Sequence, residues 1–223
     1  MATPDDILTL ADYQIPIESA VLTGVIPDPA WCDQFNDGLG KELGWTLEII
    51  TAMDPNVNVQ PYAPILTTES LACPTRHWRD FENTEFSWSQ AENDKSGEYH
   101  GTLHMDAHDV IKRATIKFLR RTKNQFRIQW SGVSDLQWPE SPDENVEFSL
   151  TTTAIFSGII VSGNAEESSE AFRARLDRYL DADDFEQSDI QLAAEEMKTG
   201  LKKLVPWKLS RANRAASCSF RPK

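Results

Sequence analysis

From residue 84 onward apolar side chains recur at alternate positions: Phe86 and Trp88, then Tyr99, Leu103 and Met105, then Ile116 and Phe118, then Phe126, Ile128 and Trp130. Successive side chains of a strand point to opposite faces, so this period of two specifies half-buried strands and little else. Polar segments of hairpin length, Asn93-Asp94-Lys95-Ser96-Gly97 and Thr122-Lys123-Asn124-Gln125, punctuate the series. An antiparallel meander is the expectation. A further strand over 146–161 alternates at first and becomes almost wholly apolar from Ile155 to Val161, which implies cover on both faces.

The expected cover is helical. Asn164 with Glu167, and Ser188 with Gln191, have the spacing of capping boxes. Behind the first, Phe172, Leu176, Tyr179 and Leu180 share a face. Behind the second, Ile190, Ala194, Met197, Leu201 and Leu204 do so until Pro206. Near the N-terminus, Thr3, Pro4 and Asp6 read as the start of a short helix ending near Asp12. Asp28 and Pro29 open a longer helix whose stripe is Trp31, Phe35, Leu39 and Leu43. Trp45, Leu47 and Ile49 alternate in a strand, the proline-rich stretch from Pro55 to Pro74 reads as loop with extended pieces, and residues 53–76 are the expected linker.

Together these elements predict an α+β fold, a mainly antiparallel β-meander sheet with helices over 29–43, 165–181 and 189–204 packed on one face. A single domain over 1–223 is expected. Its parts are an N-terminal subregion 1–52, a loop-rich stretch 53–83, the sheet 84–161, C-terminal helices over 164–205 and a basic tail 206–223. Phe86, Trp88, Leu103, Phe126, Ile128, Trp130, Phe148, Phe156, Phe172, Leu176 and Leu201 are expected in one core.

Charge falls in blocks. Residues 1–98 carry 17 acids and 4 bases, 99–131 carry 2 and 7, 132–196 carry 16 and 3, and 197–223 carry 8 bases and no acid. The net charge of −13 repels nucleic acid and anionic lipid and suits a basic protein partner. Basic segments beside acidic ones would neutralise each other without forming a site. The longest apolar run, Ala154–Val161, is far shorter than the roughly 20 residues of a spanning helix, so no membrane is expected. The N-terminal residues lack a secretory pattern, and Cys32, Cys73 and Cys218 show no ligand spacing. A cytoplasmic, acidic protein with reduced thiols is the expectation.

Familiar catalytic signatures do not occur, and Gly38-Leu39-Gly40-Lys41 lacks the hydroxyl residue that a phosphate loop needs after its lysine. The sharpest chemical pattern is His100, His104 and His108 with Asp106 and Asp109. Gly101 and Thr102 disfavour a helix there. On a strand, residues four apart are separated by about 13 Å, so successive histidines cannot share an ion. Adjacent same-face residues about 6.6 Å apart can. His104, Asp106 and His108 are therefore the candidate metal ligands, completed from a neighbouring strand, and no other cofactor is expected. The basic hairpin, Lys112, Arg113, Lys117, Arg120, Arg121, Lys123 and Arg127, would bind single strands only if Phe118, Phe126 and Trp130 were exposed for stacking.

The leading functional expectation is a non-catalytic intracellular binding or interaction protein, for a basic protein partner or a small apolar ligand. The alternative is a metal-assisted or acid/base hydrolytic enzyme working from the His100–His108 strand.

Overall fold

Period-two burial governs the N-terminal residues as well as the middle of the chain. The structure is a computed structural model that describes residues 6–28, 43–52, 63–68, 71–72, 77–89, 100–105, 108–136, 145–164, 166–188, 191–192 and 215–223. Strand β1 (Ile7–Leu10) buries Leu8 and Leu10 and turns through Ala11, at φ 50°, into β2 (Tyr13–Ile26). The short helix expected to end near Asp12 is therefore replaced by a strand. Leu8 and Leu10 point the same way only in an extended chain, and that burial outweighs a capping signal.

Strands β3 (Gly44–Thr51), β4 (Ile65–Thr68), β5 (Leu71–Ala72), β6 (Glu85–Ser89), β7 (Gly101–His104), β8 (His108–Thr122), β9 (Gln125–Ser134) and β10 (Val146–Asn164) follow. The path β1-β2-β3-β4-β7-β8-β9-β10 returns to β1, because Ile7 pairs with Thr151 and Leu10 with Phe148. Eight strands thus close into an antiparallel barrel. β5 lies against β3, and β6 continues the line of β7 along β8. The β8–β9 hairpin turns at Lys123, whose φ is 56°, within the segment expected from its polar residues.

The chain divides into two compact units, one of Met1–Thr23 with Trp45–Ser157 and one of Gly24–Gly44 with Gly158–Lys223. In the first, the closed ladder turns Leu8, Leu10, Ile15, Leu47, Leu103, Ile116, Phe118, Phe126, Ile128, Trp130 and Phe148 inward, all buried. A barrel of eight strands encloses a space that side chains just fill. Part of the filling comes from the 3-10 turn Trp78–Phe81. The Phe81 ring stands 4.6 Å from that of Trp45 and 5.1 Å from that of Phe118, and the Trp78 ring 4.8 Å from that of Phe156. The guanidinium groups of Arg79 and Arg121 lie over Trp78 at 4.8 and 5.6 Å. Outward positions are polar and exposed: Glu85, Ser87, Ser89, Arg113, Lys117, Gln129, Ser131, Glu147 and Ser149.

In the second unit, β13 (Ala215–Pro222) lies between β10 and β11 (Phe185–Gln187) and also pairs with β12 (Gln191–Leu192). The end of the basic tail is thus a paired strand. Gly158 makes the bend that starts this ladder: its φ is 121°, and a Cβ there would stand 2.1 Å from the Phe220 carbonyl oxygen. Helix α1 (Ser169–Leu176) buries Phe172 and Leu176, and Leu180 is buried just beyond it. Its N-cap is Ser168, whose side chain accepts from Ala171 N at 3.3 Å. Glu167 still reaches back to Asn164 N at 3.0 Å, as in the expected capping box, but it does so one residue before the helix cap.

The α+β sheet with packed helices is thereby corrected to a closed antiparallel barrel, with one α-helix among the described residues. The helix expected over 165–181 shrinks to eight residues. That over 189–204 gives way at 191–192 to β12, and its remainder lies outside the described residues, as do residues 29–42 of the helix expected over 29–43. Nor are both faces of the end of β10 covered, since Ile155 and Ile160 are 46% and 37% exposed. Of the expected core, Phe86 and Trp88 are half-buried, Phe172 and Leu176 fall in the second unit, and Leu201 lies outside the described residues.

Candidate functional site

A furrow crosses the outer face of β6, β8, β9, β10 and β1, at positions that all belong to the first unit. Strand register builds it. Ser87 stands opposite Thr115, Thr115 opposite Ser131, Ser131 opposite Ser149, and Ser149 opposite Thr9. Neighbouring strands are about 4.8 Å apart, so this row of five hydroxyls runs about 19 Å across the strands. One flanking row holds Ser89, Arg113, Val133 and Glu147, and the other holds Glu85, Lys117, Gln129 and Thr151. The hydroxyl row and the first of these flanking rows, with Ala11, Trp88, Ala114, Gly132 and Phe148, line an open trough of about 610 Å³. That volume lies within the range of about 300–1,000 Å³ usual for ligand sites.

Beneath the furrow, Gly132 draws the strands together. A Cβ there would stand 2.6 Å from Arg113 O, and 2.8 Å from both Ala114 Cβ and Phe148 Cε1. The Phe148 ring uses the space that any side chain at 132 would need.

Each Ser or Thr hydroxyl both donates and accepts hydrogen bonds, Arg113 adds a fork of donors and Glu147 a pair of acceptors. Ser87 Oγ and Thr115 Oγ1 are 3.0 Å apart, and Ser87 also donates to Glu85 at 3.3 Å. Lys117 pairs with Glu85 at 3.3 Å. Arg113 and Glu147 are exposed two strands apart with Val133 between them, so the charge along the furrow is close to balanced.

The histidine pattern folds otherwise than expected. Gly101–His104 and His108–Thr122 are separate strands, and positions 104 and 108 are direct partners across their hairpin. One continuous strand through 100–108 is thereby overturned, because Gly101–His104 and His108–Thr122 pair with each other antiparallel. Asp106 lies outside the described residues. His100 precedes β7, with its ring 6.1 Å from that of Trp88. Neither His100 nor His104 lines the furrow. Among the described residues no three of the His, Cys, Asp and Glu side chains come together as a metal site would require.

The basic hairpin also finds its place. Phe118, Phe126 and Trp130 point into the barrel, so they offer bases no stacking surface. Arg127 pairs with Asp6 at 2.6 Å, Lys117 with Glu85, and Glu82 accepts from Arg121 N at 3.1 Å. Acidic segments therefore offset part of this basic block. Cys218 is a buried thiol donating to Ser188 O at 3.3 Å, while Cys32, Cys73 and Gly38–Lys41 lie outside the described residues. Among the described residues, no helix is long and apolar enough to cross a membrane. Comparison with protein-family models, with curated proteins and with solved structures yields no match.

Proposed function

We propose that this chain is a non-catalytic intracellular binding protein that holds its ligand in the furrow on the outer face of the barrel. The aligned hydroxyl row carries the reading. Rings fill the described interior of the barrel, which disfavours the small apolar ligand first expected, whereas the furrow has ligand-sized volume and convergent polar groups. The lining also supports binding over catalysis. It supplies six hydroxyls beside one lining carboxylate, Glu147, and no histidine, while the adjacent Glu85 accepts from Ser87 and is held by Lys117. The free thiol of Cys218 suits a reducing compartment.

The test is a thermal-shift screen of sugars, nucleotides, amino acids, acyl chains and basic peptides on wild type and Ser131→Trp, which fills the trough from an exposed position. A ligand that stabilises wild type but not the variant is expected. Ligands that stabilise both equally, or none at all, would overturn the furrow.

The metal-assisted reading remains the alternative, because strand pairing sets positions 104 and 108 directly opposite each other. Partners in such a pair have Cβ atoms about 4.5–5.5 Å apart, closer than the same-strand spacing considered from sequence. Zinc titration of wild type and His104→Ala tests it. A rise in melting temperature that depends on His104 would move this reading to first place.

A further inference from the structure

Resting on the furrow as the binding site, we infer that its ligand is a neutral oligosaccharide lying across the strands. The row Ser87, Thr115, Ser131, Ser149 and Thr9 puts one hydroxyl side chain, which donates and accepts, on each of five neighbouring strands about 4.8 Å apart, with the Ser87 and Thr115 hydroxyls 3.0 Å from each other. A ligand matched to such a row repeats groups of the same dual character along its length, and a chain of sugars does. A ligand that follows the row lies perpendicular to the strands, with Arg113, Val133 and Glu147 along one side.

Other classes fit less well. A nucleic acid needs cations for its phosphates and rings for its bases. In this region Lys117 is paired with Glu85, Arg113 is offset by Glu147 in the same transverse row, the aromatic side chains of β8 and β9 point inward, and the one lining indole, Trp88, is half-buried with its N–H bonded to Ile111 O. An acyl chain needs a continuous apolar lining, and here the hydroxyl row, Arg113 and Glu147 interrupt the apolar atoms of Trp88, Val133 and Phe148. An extended peptide is recognised through the hydrogen-bonding edge of a strand, whereas the furrow crosses strands whose backbone groups are already paired. A neutral sugar meets none of these obstacles. Arg113 and Glu147 at one wall can each take two sugar hydroxyls in bidentate fashion.

The probes are an array of neutral gluco-, manno-, galacto- and xylo-oligosaccharides in α and β linkage, with hexagalacturonate as an anionic comparison and a thymidine decamer as a nucleic-acid comparison. Affinities are measured by calorimetry on the full chain. At least one neutral oligosaccharide of four or more units should bind, at least tenfold more tightly than hexagalacturonate. Ser131→Tyr should weaken it at least tenfold, and Ser149→Ala, which removes one hydroxyl without adding bulk, by about threefold, with circular dichroism unchanged in both. Absence of binding by every neutral sugar, tighter binding of the anionic comparison, or undiminished binding by both variants overturns the inference. The two ideas fail separately. A non-sugar ligand blocked by Ser131→Trp leaves the furrow standing and removes the sugar, while the lack of any furrow-dependent ligand removes both.

Discussion

Truncating Phe81 tests whether the barrel is filled from within by a turn of its own chain. The ring is buried among Trp45, Phe118 and Phe126, with centroids at 4.6, 5.1 and 6.0 Å. Substituting alanine removes it and leaves a void that rigid strands close only in part, a change that costs about 3–5 kcal/mol. Area gives a similar figure: a buried phenylalanine covers roughly 150–250 Å², or about 4–6 kcal/mol at ~25 cal/mol per Å², of which alanine retains a share. For a chain of this size a loss of about 4 kcal/mol lowers the melting temperature by roughly 8–16 °C. Urea unfolding followed by tryptophan fluorescence is the assay, since Trp45 and Trp78 lie in the same cluster. The two compact units call for a fit that allows two transitions. Leu119→Ala, at a position 42% exposed, is the control and should cost less than about 0.5 kcal/mol. A loss below about 1 kcal/mol for Phe81→Ala would refute the packing of Trp78–Phe81 inside the strands.

Three further outcomes follow from the second unit. Gly158→Val should destabilise the β10–β13 ladder by roughly 3 kcal/mol or more, since a backbone φ of 121° and a Cβ 2.1 Å from Phe220 O are both unfavourable; an unfolding midpoint equal to wild type contradicts that bend. The guanidinium of Arg175, buried against Glu167 and Ser162 O, is the charge whose loss matters. Arg175→Ala should cost about 1.5–3 kcal/mol because it leaves Glu167, whose side chain is 24% exposed, with the Asn164 N–H alone, and a second substitution Glu167→Ala should recover part of it, which a double-mutant cycle in urea measures. Glu170, in the first turn of α1, has its carboxyl held below the usual value of 4.5 by its own backbone N–H and then by the Ser168 hydroxyl. Because the folded-state value is the lower one, its contribution to stability is present above 4.5 and fades as pH falls through the depressed value. Ser168→Ala should move the Glu170 titration upward in a carboxyl-carbon NMR experiment; no movement would contradict that hydrogen bond.

The antiparallel strands were legible wherever alternation was clean. The strand over Trp45, Leu47 and Ile49, the hairpin at Lys123 and the long β10 lie where the periodicity puts them. At the N-terminus, Thr3, Pro4 and Asp6 gave a capping signal stronger to the eye than the four-residue alternation of Ile7–Leu10. Along Tyr13–Ile26, Pro16 masks a pattern whose buried positions shift step between Ile17 and Ala20. Closure of the barrel was not legible at all, because it depends on β1 pairing with a strand some 140 positions later, and local periodicity carries no trace of such a partner. The same applies to the furrow. Every one of its serines and threonines occupies an outward position of a strand, but only register shows that five of them align. The histidine pattern misled in the opposite way, since its even spacing suggested one continuous strand where the chain in fact reverses.

Binding across the outer face of five strands is read most directly by amide chemical-shift mapping of the chain labelled with nitrogen-15, titrated with the tightest-binding probe. Ligand held there should give shifts that saturate and cluster at Thr9, Ser87, Thr115, Ser131 and Ser149, with Phe81 inside the barrel and Phe172 in the second unit unmoved. Shifts centred on the barrel interior, on the 104–108 hairpin or on the second unit, with the hydroxyl row unmoved, would contradict it.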